Sequence, residues 1–283
     1  MKKKIGAFLL ALCMIGTPVT AFAAPDGDGV SQNIVREFAA PHYGTKEAQG
    51  EKDALLQQVT AMTAVWQETV DALAPATYGH NVKVNNYSDA DSLGIVYESV
   101  GSGVILAMDE NMVYIATAAH CLKREHTVVE FADGARHEAF IAYRNEAKDV
   151  GFLLVSRAVL SGETLNAISP AAGADAEALG TAQGDVLFVL NASQKPNEEV
   201  FAGILDQYSV VYPNNPAQNV LQFYSTVSYG SSGAALYTME GIWIGNISGG
   251  DTYGTCWAVP YQDILSEFTI WLTELAMQQD AAA

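Results

Sequence analysis

The sequence predicts a mainly β protein with a helix at each end, and three patterns carry that expectation. Past Tyr78, short apolar or alternating runs are separated by Gly, Asn and Asp. Upstream, Leu55, Leu56, Val59, Met62, Val65, Trp66, Val70 and Leu73 recur three and four residues apart, the period of one helix face. Downstream, Ile264, Leu265, Phe268, Trp271, Leu272 and Leu275 repeat that spacing. Many short strands with turn signals at near-regular intervals mean a barrel or a sandwich, not a parallel α/β sheet.

In chain order, Lys2-Lys3-Lys4 precedes an apolar run from Ile5 that ends in Ala21-Phe22-Ala23. That arrangement is a secretory signal peptide over residues 1–23, and Gly16, Pro18 and the small residues at its end favour cleavage over retention as an anchor. Residues 24–50 are rich in Pro, Gly, Asp and Ser and read as an exposed leader. A helix follows over 52–73 and stops before Pro75, so residues 24–77 form a leader and a helix packed on the domain of 78–283. Strands are expected at 103–107, 113–117, 128–131, 138–143 and 150–155, then at 186–190, 200–205, 220–226, 234–237 and 241–247. Two β-rich halves should meet near 156–184, and a helix over 261–277 closes the chain.

Composition narrows the partners. With 32 acidic and 14 basic side chains the formal charge is −18, which repels phosphate backbones and anionic membranes alike. Beyond residue 23 no apolar stretch is long enough to span a bilayer, so the mature chain should be exported, soluble and secreted or held in the cell envelope. Only Cys121 and Cys256 then remain, too few for a disulfide framework or a four-ligand zinc site, and two separate buried thiols are expected.

Acyl transfer by serine needs a hydroxyl to attack, an imidazole to take its proton, a carboxylate to orient the imidazole, and N–H donors for the oxyanion. Each part is present. Thr117-Ala118-Ala119-His120-Cys121 follows an apolar strand, Asp149 stands at the mouth of the run Val150 to Val155, and Gly230-Ser231-Ser232-Gly233 has the composition of a tight turn. His42, His80, His126 and His137 have no such context.

These segments, with Gly101-Ser102-Gly103-Val104-Ile105-Leu106, Gly184-Asp185-Val186 and Ile247-Ser248-Gly249-Gly250, resemble trypsin-like (chymotrypsin-fold) serine proteases, in layout the compact bacterial and HtrA-type members, over about residues 94–265. The resemblance implies two packed six-stranded antiparallel β-barrels. It implies Ser232 as nucleophile, His120 as general base and later acid, Asp149 as the orienting carboxylate, and the N–H groups of Gly230 and Ser232 as the oxyanion hole. It further implies that Ser248 stands behind Asp149, that Ser248-Gly249-Gly250 is the edge on which an extended peptide pairs, and that Thr226 lies at the base of the primary pocket with Ile247 on a wall. A polypeptide substrate follows, with no metal, no organic cofactor and no nucleic acid. No PDZ-like domain is expected after the peptidase domain.

The chain departs from the family's usual pattern in having Ser231 before the nucleophile and Ala234-Ala235 after Gly233. Those departures keep a second reading open, a catalytically inactive trypsin-like fold that binds peptides or another partner. They also bear on activation. A neutral Ser231 cannot draw a new N-terminal ammonium into a buried site, where an unpaired charge is costly. Activity is therefore expected without a cut before Ile95. With Thr226 and Ile247 at the pocket, small or medium uncharged side chains are expected as the preferred cleavage residues, and His120 is expected to set an acid limb near pH 6 to 7.

Overall fold

The computed structural model describes residues 34–36, 46–192, 199–213, 215–251 and 253–282. The signal peptide expected over 1–23 lies outside them, as does the leader except for 34–36 and the residues from 46 onward.

The first half forms β1 (Ile34–Arg36), α1 (Lys46–Leu73), β2 (Asn81–Tyr87), β3 (Val96–Met108), β4 (Met112–Thr117), β5 (His126–Glu130), β6 (Arg136–Asn145), β7 (Val150–Ser156) and the short helix α2 (Gly162–Ala167). The second forms β8 (Val186–Asn191), β9 (Glu199–Tyr212), β10 (Asn215–Ser225), β11 (Ala235–Thr238), β12 (Trp243–Gly250), β13 (Thr255–Pro260) and α3 (Tyr261–Ala282). Strands β3, β2, β5, β6, β7 and β4 pair in that order, and β4 pairs again with β3, so the first sheet closes into a barrel with β1 added in parallel on β3. The second half is a closed barrel in the order β10-β13-β12-β11-β8-β9.

The run Val150 to Val155 shows how the sequence builds this arrangement. Successive strand side chains point to opposite faces. Leu153 and Val155 enter the core of the first barrel with Val84, Ile105 and Phe131. Phe152 and Leu154 point the other way, into a second cluster shared by both barrels and both long helices. In the second barrel, Leu187, Val189 and Leu236 face inward, whereas Phe188 and Tyr237 face the shared cluster and stack at 5.2 Å. Strands buried on both faces read as continuous apolar runs, which is why these were legible. Each fully buried Leu or Phe contributes about 1.5–3 kcal/mol.

The helix α3 closes the shared cluster: Phe268 meets Tyr114 and Phe152 edge-on at 5.6 and 5.2 Å, and Trp271 is buried beside them. The helix α1 buries Val59, Thr63 and Val70, and its Gln67 side chain donates to Val200 O at 2.7 Å and accepts from Ala202 N at 3.2 Å, docking it on β9.

Three differences from the sequence expectation have physical causes. The helix expected from residue 52 begins at Lys46, because its first turns carry no apolar stripe to reveal them. Strand β2 was not expected: Asn-Val-Lys-Val-Asn-Asn-Tyr reads as a polar loop, yet every residue in it is buried. Two of its three amides are bonded, Asn81 Nδ2 to Thr77 O at 2.8 Å and Asn86 Nδ2 to Thr127 Oγ1 at 2.7 Å, which removes the penalty for burying them, while Asn85 Nδ2 is buried without a hydrogen-bond partner among the described residues. Strand β13 was hidden between Gly254 and Pro260, and only its pairing with β10 and β12 defines it.

Candidate active site

A 3-10 turn at Ala119–Cys121, at the end of β4, presents His120, and β7 begins immediately after Asp149. The backbone of Asp149 has φ 53°, a left-handed conformation that Asp tolerates better than most residues and that turns its carboxylate back toward the histidine. Asp149 Oδ1 accepts His120 N at 3.0 Å, and both carboxylate oxygens lie 2.9 Å from His120 Nδ1. Ser248 Oγ donates to Asp149 Oδ2 at 2.5 Å. Of the residues singled out in the sequence, His120, Asp149 and Ser248 are thus brought together, with Asp149 on Nδ1 and, among the described residues, no hydrogen bond on Nε2.

The turn before Asp149 is held by α3. Glu267, 3% exposed, accepts from Tyr143 Oη at 2.5 Å, Asn145 Nδ2 at 2.9 Å and Lys148 Nζ at 3.0 Å. Burial, the strongest influence, pushes the Glu267 carboxyl up, but these three donors and the Lys148 charge outweigh it and hold its pKa below the ordinary value. Sequence reasoning missed Glu267 because it reaches the site only across the barrel interface.

The serine turn sits against the histidine turn. Ser232 O accepts Ser102 N at 2.8 Å and Cys121 Sγ at 3.7 Å, and Thr117 Oγ1 donates to Ser102 O at 2.7 Å. Ile247 grips the turn from the other side: Gly233 N donates to Ile247 O at 2.7 Å and Ile247 N to Ala234 O at 2.9 Å. Gly230 and Gly233 have φ 87° and 80°, where a Cβ is strained. Ala234 and Ala235, the departures noted in the sequence, are fully buried and lead into β11. Among the described residues the N–H groups of Gly230 and Ser232 donate to nothing, and Ser232 Oγ makes no hydrogen bond. No hydrogen bond links Ser232 to His120 among the described residues.

Of the pocket residues, Thr226 is half-buried just past β10, while Ile247 is 2% exposed and its side chain packs in the core of the second barrel. Gly249 and Gly250 end β12, paired with Trp257 and Cys256 of β13, and the Tyr212 hydroxyl occupies the space a side chain at Gly249 would need. Pairing of β11 with β12 stops at Asn246. Asp251 is turned into its own loop, its Oδ1 accepting Tyr253 N at 2.8 Å and Thr255 N at 2.9 Å. Cys121 and Cys256 are both free and buried. Ile95, considered above as an activation point, lies in the β2–β3 connection with its N–H on Asp91 Oδ1 at 2.9 Å.

Burial, the largest single influence on the His120 ring, works to lower its pKa; the Asp149 hydrogen bond, the adjacent Cys121 sulfur and the Asp149 charge outweigh it, so the imidazole is held above its ordinary value.

No curated protein matches this chain. Many solved structures share its fold, among them two of an HtrA-type protease. The HtrA-type protease AlgW with a decapeptide aligns with TM-score 0.58 at 17% identity, covering 72% of this chain and 67% of that one. A variant of AlgW with a tripeptide aligns with TM-score 0.55 at 20% identity, covering 69% and 61%, so this chain spans about three fifths of that protein's length. The family model described as a trypsin-like peptidase domain matches residues 101–245, a span that begins at Gly101, takes in His120, Asp149 and Ser232, and ends on β12. By the barrels, the site geometry and that match, the chain belongs to the trypsin-like peptidase family.

Proposed function

We propose that this protein is an exported serine endopeptidase that cleaves peptide bonds through an acyl-enzyme on Ser232. The observation that carries the reading is the Asp149 carboxylate, which engages His120 N, His120 Nδ1 and Ser248 Oγ together and leaves Nε2 as the free face of the imidazole. In this mechanism Nε2 removes the Ser232 proton as Oγ attacks the scissile carbonyl, and the N–H groups of Gly230 and Ser232 stabilise the oxyanion. The protonated His120 then donates to the leaving amine, and a water deprotonated by the same ring hydrolyses the ester. An extended peptide would pair with the flank of Ser248 to Gly250, where, beyond the bonds of Ile247 to Gly233 and Ala234, β12 has no strand partner on that side among the described residues. Both AlgW structures contain a peptide, which supports a polypeptide substrate here. Labelling by a fluorophosphonate tests the reading, because only a base-activated serine reacts rapidly; an unlabelled protein with no hydrolysis of casein leaves the inactive, peptide-binding alternative. Export would be seen as a mature N-terminus following Ala23.

The raised His120 pKa moves the acid limb upward from the 6 to 7 expected of the sequence. The base works only when deprotonated, and that form grows as pH climbs toward its pKa. Turnover should therefore rise through about pH 7 to 9 without a plateau at neutrality. A kcat/KM profile that is already flat across this range would show that Asp149 does not hold the His120 pKa above its ordinary value, while leaving His120 as the base.

For specificity, Thr226 offers no charge and Asp251 is committed to its own turn. A Lys or Arg side chain would enter the pocket without a counter-ion and bear the cost of desolvation. A peptide-library profile should show cleavage after small or medium uncharged residues. Dominant cleavage after Arg, Lys or Glu would overturn this assignment of the pocket.

A further inference from the structure

The oxyanion loop runs from Ser228 to Gly233, and in the proposed reaction it must hold two N–H groups pointing at one spot. Its own buried polar side chain does nothing to fix it. Ser231 is 2% exposed, and its hydroxyl has no hydrogen-bond partner among the described residues. The loop is gripped instead at its first residues, from the β8–β9 side of the second barrel. Asn191, fully buried, donates through Nδ2 to Glu199 Oε2 at 2.7 Å and to Ser228 Oγ at 2.9 Å. Ser228 Oγ in turn donates to the same Glu199 oxygen at 3.1 Å. Asn191 and Glu199 face each other across the last register pair of β8 and β9, so the pair is placed by the barrel and not by the loop.

A second hold lies just beyond. Ser102 Oγ, from β3 of the first barrel, donates to Gly230 O at 2.9 Å and accepts from Ala192 N at 2.9 Å. Ser102 is 1% exposed. Between the two holds lies the Tyr229–Gly230 peptide, whose N–H is one of the two oxyanion donors. In a trans peptide the carbonyl and N–H point opposite ways. Ser228 Oγ lies 3.5 Å from Tyr229 O, so that carbonyl faces the Asn191–Glu199 side and the Gly230 N–H faces away from it. Releasing Ser228 would free this peptide to rotate, and a rotated peptide would put a carbonyl where the oxyanion must form.

We propose that Asn191 and Glu199 are positioning residues that clamp Ser228, and with Ser102 hold the Tyr229–Gly230 peptide in the orientation an oxyanion requires. The proposal rests on the peptidase reading above and assigns to neutral and carboxylate groups of the barrel the ordering that a buried ion pair at the position of Ser231 could not supply. Hydrogen bonds to an ionised carboxylate are about twice as strong as neutral ones, and here two donors share one oxygen anchored by a buried amide.

The test uses the full chain in four forms: unaltered, Glu199→Ala, Glu199→Gln and Asn191→Ala. Glu199→Gln keeps an acceptor oxygen and is the conservative rescue; Glu199 is only half-buried, so its Ala variant should fold even where Asn191→Ala does not. For Glu199→Ala, kcat should fall about 10- to 100-fold with KM within about threefold, part of the loss seen on removing an oxyanion donor. Affinity for a peptide boronate, which mimics the tetrahedral oxyanion, should fall in the same proportion as kcat/KM. Glu199→Gln should retain most of both. A loss confined to KM, an unchanged boronate affinity, or equal losses in Ala and Gln would overturn the clamp. Deuterium uptake over residues 226–233 reads the loop without turnover and should be at least about threefold faster in Glu199→Ala than in the unaltered chain. Unchanged uptake refutes the clamp even in an active enzyme, and faster uptake in a chain that never labels with fluorophosphonate supports it while removing the peptidase reading.

Discussion

Replacing Ser232 with Ala is expected to lower peptide hydrolysis by about four to six orders of magnitude while the melting temperature stays where it was. The stability side follows from contacts: among the described residues Ser232 Oγ holds no hydrogen bond, so its loss orphans no buried partner there. The activity side follows from the arrangement of Asp149, His120 and the serine turn, which has nothing to accept an acyl group once Oγ is gone. Ser231→Ala is the internal control. Its hydroxyl is buried without a partner among the described residues, a state that costs about 1–3 kcal/mol of desolvation. Removing it should leave hydrolysis within a few-fold of the original and raise stability by up to about 1 kcal/mol. His120→Ala should match Ser232→Ala, and the double variant should be no worse than either, because the two act as one unit. Parallel peptide hydrolysis, fluorophosphonate labelling and thermal melts decide the matter. Equal losses in Ser231→Ala and Ser232→Ala would reopen the choice of nucleophile.

A single methyl group at Gly233 should do comparable damage by a different route. The residue has φ 80°, and a Cβ there would collide with Ser102 O and Thr117 Oγ1 and stand 2.9 Å from Ala118 N. Two of these atoms are backbone, so relief requires the serine turn and the histidine strand to part. The left-handed strain and the overpacking together should cost about 3 kcal/mol, equivalent to a fall of about 6–12 °C in melting temperature for a domain of this size. Fluorophosphonate labelling should be lost with it, since Ser232 and the Gly230 N–H would no longer share a target. Gly180→Ala separates the two contributions. That residue also has positive φ, 73°, but open space where its Cβ would go. It should cost about 1 kcal/mol and leave labelling intact. A Gly233→Ala protein that melts and labels normally would show that the two turns are not in the close contact described.

Much of the molecule was legible in the chain. Val150 to Val155 and Val186 to Leu190 announced themselves because they are buried on both faces, between a barrel core and the shared cluster, and such strands are apolar throughout. His120, Asp149 and Ser232 were legible because each sits beside an element boundary with its own local signature: Thr-Ala-Ala before the histidine, an acid at a strand mouth, glycines about the serine. The sequence by itself also determined that Ser231 is neutral, and hence that no buried ion pair can form there. It did not disclose β2, whose Asn81 and Asn86 read as solvent-facing until Thr77 and Thr127 supply partners for them. Nor did it disclose what holds the site together. Glu267 reaches the loop before Asp149 from the last helix, and Asn191 and Glu199 reach the oxyanion loop from the β8–β9 register. Local patterns record what a residue does to its own turn or strand face. A hydrogen bond between groups 37 residues apart, as from Asn191 to Ser228, or 122 apart, as from Asn145 to Glu267, leaves no periodicity, and an Asn or Glu that ends buried on such a bond looks, in one dimension, like any residue in water. Only the closing of the two barrels decided which of them would meet.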